Sequence, residues 1–443
     1  MERTSYKKTV LSTSIALALC ASLSLSSGAH ADIFDELDDA VDAPTGTPST
    51  APASTGRVDK EAALEAEFQA WKAAEEAEFA DWKEKYFAEL EAYKDKILGV
   101  WDEAEVTDKT SWVDYSEDLK TKRVIDYEAN EIRISVVDAG SVPTQKDIQK
   151  MIADIITTTP NIARQKDPVL TAVNATASSN DPASNSSLLA GVIATNEAEQ
   201  GSTKAVTPAS KPQPVVAKAP SRQAAEQSAR ALSKAAVVTE AVPTQSQDKA
   251  PVTTITIKLP KDATYKRAKT FTGYVNKHAK ATKVDTSLIY AIMHTESAFN
   301  PMARSPVPAF GLMQIVPGSA GKDVTQKWYG KAKILKPEEL YNEQTNIRAG
   351  STYLNILLYR YLKGITNPES RRYCAIAAYN TGAGNVSVAF TGSKKLRNAL
   401  PIINSLTPEQ VYDTLIKKLP YDETKKYLER VVARQAVYQK SNY

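Results

Sequence analysis

The feature that most restricts the fold of this chain is a long low-complexity stretch from residue 166 to residue 250. It is dominated by Ala, Ser, Thr, Gln, Lys, Pro and Val, and it contains no Phe, Trp or Tyr. A segment of this composition has too little apolar surface to offset the conformational entropy that is lost on folding. We therefore expect a disordered linker over residues 166–250, with folded cores before it and after it.

Residues 1–31 have the layout of a secretory signal peptide. Arg3, Lys7 and Lys8 precede a mostly apolar stretch, and the small residues Ala29 and Ala31 follow it at the spacing of a cleavage site. A membrane anchor is the alternative, but the stretch is short for a stable span and contains several Ser and Thr residues. We therefore expect export. Residues 32–56, rich in Ala, Pro, Thr, Ser and Asp, are expected to form a disordered tether.

The two cysteines bear on compartment and chemistry. Cys20 lies where a bacterial lipoprotein carries its lipid, but Leu19 precedes it where a small residue is usual. We therefore expect a cleaved signal peptide, with a bacterial lipoprotein anchored through Cys20 as the alternative. After cleavage of the signal peptide only Cys374 remains, so no internal disulfide can form. Its apolar neighbours favour a buried side chain over a nucleophile.

Residues 57–165 are predicted to form an accessory α+β domain. Apolar residues recur at spacings of three and four from residue 57 to residue 101, which predicts a long helix. Within it, residues 65–72 recur eleven residues later as 76–83, and an eleven-residue repeat keeps one face of a straight helix aligned. The aromatic stripe on this helix is expected to be a packing seam rather than a ligand site.

The rest of this domain is expected to be a small antiparallel sheet. Partial alternation over residues 122–127 and 131–137, on either side of a short turn, predicts a β-hairpin. A helix over 145–157 would cover it, and a strand over 252–259 would return to the same sheet. Residues 260–443, with helical patterns broken by Pro and Gly, are expected to form a compact α-helical domain. The fold class is therefore α+β.

Charge is distributed unevenly along the chain, although the net charge is only +3. Residues 57–101 carry 7 Lys and Arg against 12 Asp and Glu, whereas residues 261–443 carry 28 against 13. A basic C-terminal domain suits an anionic polymer, either cell wall or nucleic acid. On charge alone, a solvated basic surface is an equally valid interpretation.

Glu296 is the leading candidate for a catalytic group. It lies on a predicted helix that begins after the N-cap Asp285 and stops near Asn300, and it continues the apolar face formed by Leu288 and Ile292. Burial and the negative end of the helix dipole both oppose ionisation, so the pKa of Glu296 should be raised, as a general acid requires. A Glu that only reaches solvent or bonds a backbone group fits this helix equally well.

Two further segments place polar side chains beside small or apolar residues. Gln314 follows Gly311-Leu312-Met313 and either forms a buried hydrogen bond or holds a sugar group. Tyr379 and Asn380 precede Gly382 at a predicted helix end, where a simple helix cap is the alternative.

The sequence also argues against several chemistries. The C-terminal domain contains only two histidines, His278 and His294, and a single cysteine, so a zinc site is not expected. No G-x-S-x-G motif and no phosphate-binding glycine loop is present. His294 is expected to be structural, with a minor influence on Glu296 as the alternative.

Taken together, these segments resemble the catalytic domain of lytic transglycosylases of the soluble-lytic-transglycosylase type, which has a goose-type-lysozyme-like α fold. The resemblance covers residues 265–443 and rests on several ordered blocks. These blocks are Glu296-Ser297, Asn300-Pro301, Arg304-Ser305-Pro306, Gly311-Leu312-Met313-Gln314, Asn346-Ile347 with Gly350, Tyr353-Leu354, Ala378-Tyr379-Asn380, and Leu419-Pro420 with Glu423-Thr424 and Tyr427.

The resemblance implies a peptidoglycan lytic transglycosylase. Glu296 would act as acid and then as base, cleaving the β-1,4 bond between N-acetylmuramic acid and N-acetylglucosamine and leaving a 1,6-anhydro end. This chemistry needs no second carboxylate, and none is conspicuous in the neighbouring motifs. The resemblance also implies a set of glycan-binding residues, which are Ser305, Gln314, Tyr353, Tyr379, Asn380 and Tyr427.

The expectation is therefore a monomeric enzyme that acts on peptidoglycan glycan strands, without cofactor or metal and without a nucleic-acid partner. The resemblance implies the periplasm of a Gram-negative cell, with an outer-membrane lipoprotein anchored through Cys20 as the alternative. An envelope protein is expected to bind the accessory domain. A hydrolytic muramidase and a non-catalytic peptidoglycan-binding scaffold protein are the alternatives.

Overall fold

The computed structural model describes residues 55–137, 143–193, 218–242 and 249–440. Helices surround one five-stranded antiparallel sheet, so the predicted α+β class is confirmed. The expected signal peptide and all but the last two residues of the expected tether lie outside the described residues. Among the described helices, none combines the length and the apolar character that a bilayer span requires.

A single long helix, α1 (Thr55–Leu98), opens the described chain, close to the predicted bounds. Its aromatic side chains stack along the helix, with ring centroids 5.8 Å apart for Phe79 and Trp82 and 5.1 Å apart for Trp82 and Tyr86. Trp82 also contacts Phe310 of the C-terminal part edge to face, at 5.9 Å. The prediction of a packing seam is therefore confirmed for this part of the helix.

The acidic side of α1 faces basic residues of the C-terminal part. Glu76 pairs with Lys322, Glu78 lies 3.1 Å from Lys336, and Glu75 accepts a bond from the backbone of Ile334. These pairs are largely exposed and each adds little stability. They nevertheless show that part of the C-terminal positive charge is used within the chain.

The predicted hairpin and its returning strand are confirmed. All neighbouring strands are antiparallel, and the order across the sheet is β1-β2-β3-β5-β4. The buried faces of the central strands supply Ile132, Ile134, Ile255 and Ile257 to the core. The strands are β1 (Ser111–Tyr115), β2 (Thr121–Asp126), β3 (Glu131–Val137), β4 (Val237–Val242) and β5 (Val252–Lys258).

The prediction of a disordered linker over residues 166–250 is wrong for the parts that the structure describes. This stretch supplies edge strand β4, a 3₁₀ turn at Pro182–Asn185 and two helices, of which the longer packs on the predicted helix over 145–157. The helices before this stretch are α2 (Gln145–Thr157) and α3 (Pro160–Lys166), and those within it are α4 (Pro168–Ala172) and α5 (Arg222–Ser233).

Small apolar side chains and a helix cap explain why this stretch is folded. Leu188, Leu189, Ala225 and Ala229 are all buried, so Ala and Leu here do the packing that aromatic residues do elsewhere. Asp167 accepts bonds from the first backbone N–H groups of α4, and its following proline favours a helix start. Low aromatic content therefore does not prevent packing when small side chains lie against a sheet-and-helix surface.

The C-terminal part is helical, as predicted. Its hydrophobic side chains and those of the sheet form one continuous buried cluster, which runs from Tyr86 to Tyr438. The helices are α6 (Ala263–Thr270), α7 (Thr272–Thr282), α8 (Thr286–Ser297), α9 (Lys322–Tyr329), α10 (Pro337–Leu340), α11 (Glu343–Ile356), α12 (Pro368–Thr381), α13 (Ala383–Thr391), α14 (Leu396–Ser405), α15 (Pro408–Lys418) and α16 (Asp422–Lys440).

Candidate active site

Helix α8 carries Glu296 one residue before its C-terminal end. Its predicted N-cap is confirmed, since the Asp285 carboxylate accepts a bond of 2.7 Å from the backbone N–H of Ser287. Leu288 and Ile292 are buried as predicted, but almost every residue of α8 is buried, so the helix is enclosed on all sides rather than on one face. The helix ends at Ser297 because Ala298 takes up a left-handed conformation with φ of 48°.

The loop after α8 is tied to the helix by side chains. The Ser297 hydroxyl lies 2.8 Å from the carbonyl of Leu312, and the buried Asn346 amide bonds to the carbonyl of Phe310 and the backbone N–H of Met313. Gly311 has φ of 74°, and a Cβ there would lie 2.5 Å from the Asn346 amide nitrogen. The backbone beside Glu296 is therefore fixed in one conformation.

Glu296 is buried, and only 5 % of its surface is exposed. Burial raises its pKa above the usual range of a glutamate, which favours the protonated form. The Lys109 ammonium and the hydrogen bond from Tyr427 act in the opposite direction, and the Glu423 carboxylate adds to the rise. The predicted direction of the pKa shift therefore agrees with the structure.

The structure brings together the three predicted glycan-binding tyrosines, of which Tyr427 directly contacts this carboxyl group. The Tyr427 hydroxyl donates to Glu296 Oε1 at 2.7 Å. The Tyr379 hydroxyl donates to the carbonyl of Met313 at 2.9 Å, and its ring lies 5.4 Å from that of Tyr353. Tyr379 thus holds the loop that carries Gln314 and packs against Tyr353.

The remaining predicted residues occupy different positions. Asn380 accepts a bond of 2.7 Å from the Thr424 hydroxyl, which joins the end of α12 to α16. Gln314 donates to the carbonyl of Gly311 at 3.0 Å, and its own side-chain oxygen is buried without a hydrogen-bond partner in the structure. Ser305 donates to the carbonyl of Val307 within its loop, and no bond joins it to the other site residues in the described chain.

Two charged residues near Glu296 were not identified from the sequence. Lys109 Nζ lies 4.0 Å from Glu296 Oε2 and also 4.0 Å from Glu423 Oε1. Lys109 lies in the loop before β1, almost two hundred residues from Glu296, and no local pattern marks it. Glu423 belongs to one of the sequence segments on which the family resemblance rests. Only the fold shows that it faces the same ammonium group as Glu296.

His294 and Cys374 are the other two candidate side chains, and both have structural roles. His294 lies 3.1 Å from the Tyr438 hydroxyl, and burial lowers the pKa of its imidazole to about 3, so it is neutral near neutral pH. Cys374 is fully buried and burial raises the pKa of its thiol, which agrees with a packing role. Among the described residues, no group of three or more His, Cys, Asp or Glu side chains is arranged to hold a metal ion.

A family model matches a segment of the C-terminal part of the chain. Residues 273–400 match the family model described as "Transglycosylase SLT domain". The matched range runs from α7 into α14 and includes Glu296, Gln314, Tyr353 and Tyr379. Residues 273–400 are therefore similar to a transglycosylase SLT domain, and the resemblance that the sequence blocks indicated is confirmed.

Two curated relatives with the same name are similar to part of this chain. Membrane-bound lytic murein transglycosylase C from Cronobacter sakazakii is 45 % identical over 186 residues, which are 42 % of this chain and 51 % of that protein. The protein of the same name from Klebsiella pneumoniae is also 45 % identical over 186 residues. This chain spans about half the length of the curated relatives that it matches.

Two solved structures are similar over a smaller share of their own length. The 70 kDa soluble lytic transglycosylase from Escherichia coli is 26 % identical, over 40 % of this chain and 25 % of that chain, with a TM-score of 0.30. An inactive mutant of lytic transglycosylase Slt from Pseudomonas aeruginosa is 28 % identical, over 41 % of this chain and 28 % of that chain, with a TM-score of 0.29.

Proposed function

We propose that this protein is a peptidoglycan lytic transglycosylase with Glu296 as its acid and base. The observation that carries the proposal is the enclosure of Glu296, a buried carboxyl group with a raised pKa inside a transglycosylase SLT domain. The relatives named lytic murein transglycosylase support peptidoglycan as the substrate.

The proposed reaction has two proton transfers through one group. Protonated Glu296 donates its proton to the glycosidic oxygen as the bond from C1 of N-acetylmuramic acid to that oxygen breaks. The Glu296 carboxylate then takes the proton from the C6 hydroxyl of the same sugar as O6 bonds to C1. This closes the 1,6-anhydro ring and regenerates the acid, and no water is consumed. The attacking hydroxyl belongs to the substrate, which gives it a high effective concentration.

We propose that the surrounding polar groups hold the glycan. The Gln314 side-chain oxygen is buried without a hydrogen-bond partner, and it would reach a sugar N–H or O–H once the side chain turns towards the glycan. This bond would remove the cost of leaving the oxygen unpaired. The phenols of Tyr353, Tyr379 and Tyr427 would flank the reacting sugar. Asn380 and Ser305 are also proposed to contact the glycan, since both are partly accessible to solvent.

A hydrolytic muramidase is the second candidate function, and one observation favours it. Glu296 and Glu423 both lie 4.0 Å from Lys109 Nζ, so their carboxylates are no more than twice that distance apart. Two carboxyl groups at a separation of roughly 6.5–9.5 Å serve inverting glycosidases, in which the second activates a water molecule. Glu423 is well exposed, as such a base would need to be.

The mass of the products separates these two functions. We expect digestion of purified sacculi to release anhydro-muropeptides, which are lighter than the hydrolytic products by one water. Glu423→Gln should leave both the product and most of the activity unchanged, because the transglycosylase reaction uses a single carboxyl group. Mass spectrometry of the released muropeptides is the measurement. Reducing muramic acid ends, together with loss of activity in Glu423→Gln, would establish the muramidase instead.

A pH profile tests the role of Tyr427. Its hydrogen bond lowers the pKa of Glu296, so Tyr427→Phe should raise that pKa and keep the acid protonated to higher pH. We expect the alkaline limb of kcat/KM to move to higher pH, and the rate on the plateau to fall roughly tenfold from the lost bond to a charged group. Tyr438→Phe on the same helix is the control and should leave the alkaline limb in place. An unchanged profile in Tyr427→Phe would contradict this role.

We also propose a periplasmic location, with lipid attachment at Cys20 as the alternative, because the relatives are named membrane-bound. Glycan strands are the proposed partner, and the protein is proposed to act as a monomer. Mass spectrometry of the mature N-terminus distinguishes the two locations, since a lipidated Cys20 and a free Asp32 exclude each other.

A further inference from the structure

The loop before β1 brings a positive charge to Glu296 from outside the transglycosylase SLT domain. This loop, residues 107–110, is the last part of the connection between the long helix α1 and the sheet, and the family match begins only at residue 273. Lys109 Nζ lies between the carboxylates of Glu296 and Glu423, at 4.0 Å from each. A charge in this position acts on the very group that is proposed to carry the proton.

The loop is held against the catalytic part by hydrogen bonds to its backbone carbonyls. The carbonyls of Asp108 and Lys109 accept from the Asn300 amide at 3.4 Å, and the Arg304 backbone N–H donates to the carbonyl of Asp108 at 3.2 Å. The Arg304 guanidinium donates to the carbonyl of Thr107 at 3.2 Å. Asn300 is fully buried, so these contacts fix the path of the loop just beyond the end of α8.

The loop is also fixed by its own turn. The Asp108 carboxylate accepts from the backbone N–H groups of Thr110 and Ser111, at 2.8 and 2.6 Å. A side chain that leaves such a turn starts from a defined backbone position, so Lys109 needs to order only its own side chain to meet Glu296. That side chain is about two-fifths exposed, at 38 %, which leaves the ammonium group partly hydrated.

We propose that Lys109 is a positioning residue of the catalytic centre, which stabilises Glu296 as a carboxylate after it has donated its proton. This inference rests on the proposed function and assigns a part of that site to the accessory region. Burial favours the protonated form of Glu296 before the reaction, and Lys109 also lies 4.0 Å from Glu423. When the proton moves to the glycosidic oxygen, the carboxylate that forms finds a cation already in place.

The groups that act on Glu296 come from three elements, one of which is the loop that carries Lys109. Helix α16 contributes Tyr427, Glu423 and Arg430, and α12 contributes the neutral phenol of Tyr379. Among the charges that act on Glu296, Lys109 has the strongest lowering effect on its pKa. Loss of this charge should therefore leave Glu296 protonated to higher pH and make proton donation harder.

The test compares three lysine variants. In Lys109→Met we expect the alkaline limb of kcat/KM on sacculi to move up by roughly half a pH unit to one unit, because the cation is partly solvated. Lys109→Arg keeps the charge and should restore the wild-type limb. Lys120→Met, an exposed lysine in the β1–β2 turn, is the matched control and should behave as wild type. If the alkaline limb of kcat/KM lies at the same pH in Lys109→Met and in wild type, the proposal is overturned.

A second measurement does not depend on activity. The ¹³C carboxyl signal of Glu296, assigned by its absence in Glu296→Gln, reports its pKa directly in the full-length protein. We expect that pKa to rise in Lys109→Met, and an unchanged value would also overturn the proposal. If wild type releases no muropeptides, the proposed function fails while this titration still decides the role of Lys109. If wild type releases muropeptides, but Lys109→Met changes neither the alkaline limb nor the pKa of Glu296, this inference alone fails.

Discussion

Glu296→Gln is expected to reduce the release of muropeptides from sacculi by roughly 100- to 10 000-fold, because a positioned general acid contributes that much to the rate. The amide has the shape of the acid and can still accept the hydrogen bond from Tyr427, but it cannot transfer a proton. Binding to sacculi should persist, since the glycan-binding groups are untouched. The measurements are muropeptide release by chromatography and retention of the protein on sedimented sacculi.

Glu343→Gln is a matched control for this substitution. Glu343 is also buried, burial raises the pKa of its carboxyl group to about 7, and it lies at the start of α11 where Ser184 contacts it. Because it is not part of the proposed site, its amide variant should keep most of the activity. Wild-type activity in Glu296→Gln would contradict the catalytic assignment and favour a non-catalytic peptidoglycan-binding protein. Equal losses in both variants would indicate damage to folding rather than to chemistry.

Local patterns in the sequence predicted the elements whose periodicity is visible within one segment. The α8 helix, its Asp285 cap and the inward direction of Glu296 follow from spacings of three and four residues. The hairpin over β2 and β3 follows from alternation around a turn. Such features depend on neighbours in the chain, so they can be identified without knowledge of the fold.

Long-range packing accounts for what the sequence did not predict. The stretch over 166–250 lacks aromatic residues, yet the small side chains of Ala225 and Ala229 allow α5 to approach α2 closely. Its disorder was predicted from composition, which records the size of side chains but not the surface that they meet. The approach of Lys109 to Glu296 likewise depends on the docking of a loop against residues almost two hundred positions away.

That docking depends on a buried ion pair between the two parts of the chain. Arg304 Nη1 lies 2.9 Å from Asp167 Oδ2, and their side chains are only 5 % and 13 % exposed. The same guanidinium donates to the carbonyl of Thr107, in the loop that carries Lys109. Breaking such a pair by removing one partner is costly, because the other charge remains buried without compensation.

Arg304→Met is therefore expected to lower the free energy of unfolding by about 3–5 kcal/mol. Arg372→Met is the matched control, because Arg372 is also 2.9 Å from a carboxylate, that of Glu369, but the two side chains are 32 % and 46 % exposed. Its loss should cost less than about 1 kcal/mol. Urea unfolding followed by circular dichroism gives both values. Equal losses in the two variants would contradict the importance of burial.

A double variant separates the charge from the packing. In Arg304→Met combined with Asp167→Asn, the unpaired carboxylate is gone, so part of the lost stability should return relative to Arg304→Met alone. The bond from Arg304 to Thr107 is still missing in the double variant, and the loop that carries Lys109 should remain loosened. We therefore expect stability to recover while the alkaline limb of the pH profile stays displaced towards that of Lys109→Met. If stability and the wild-type alkaline limb both recover in the double variant, the position of Lys109 depends on the ion pair and not on the bond from Arg304 to the Thr107 carbonyl.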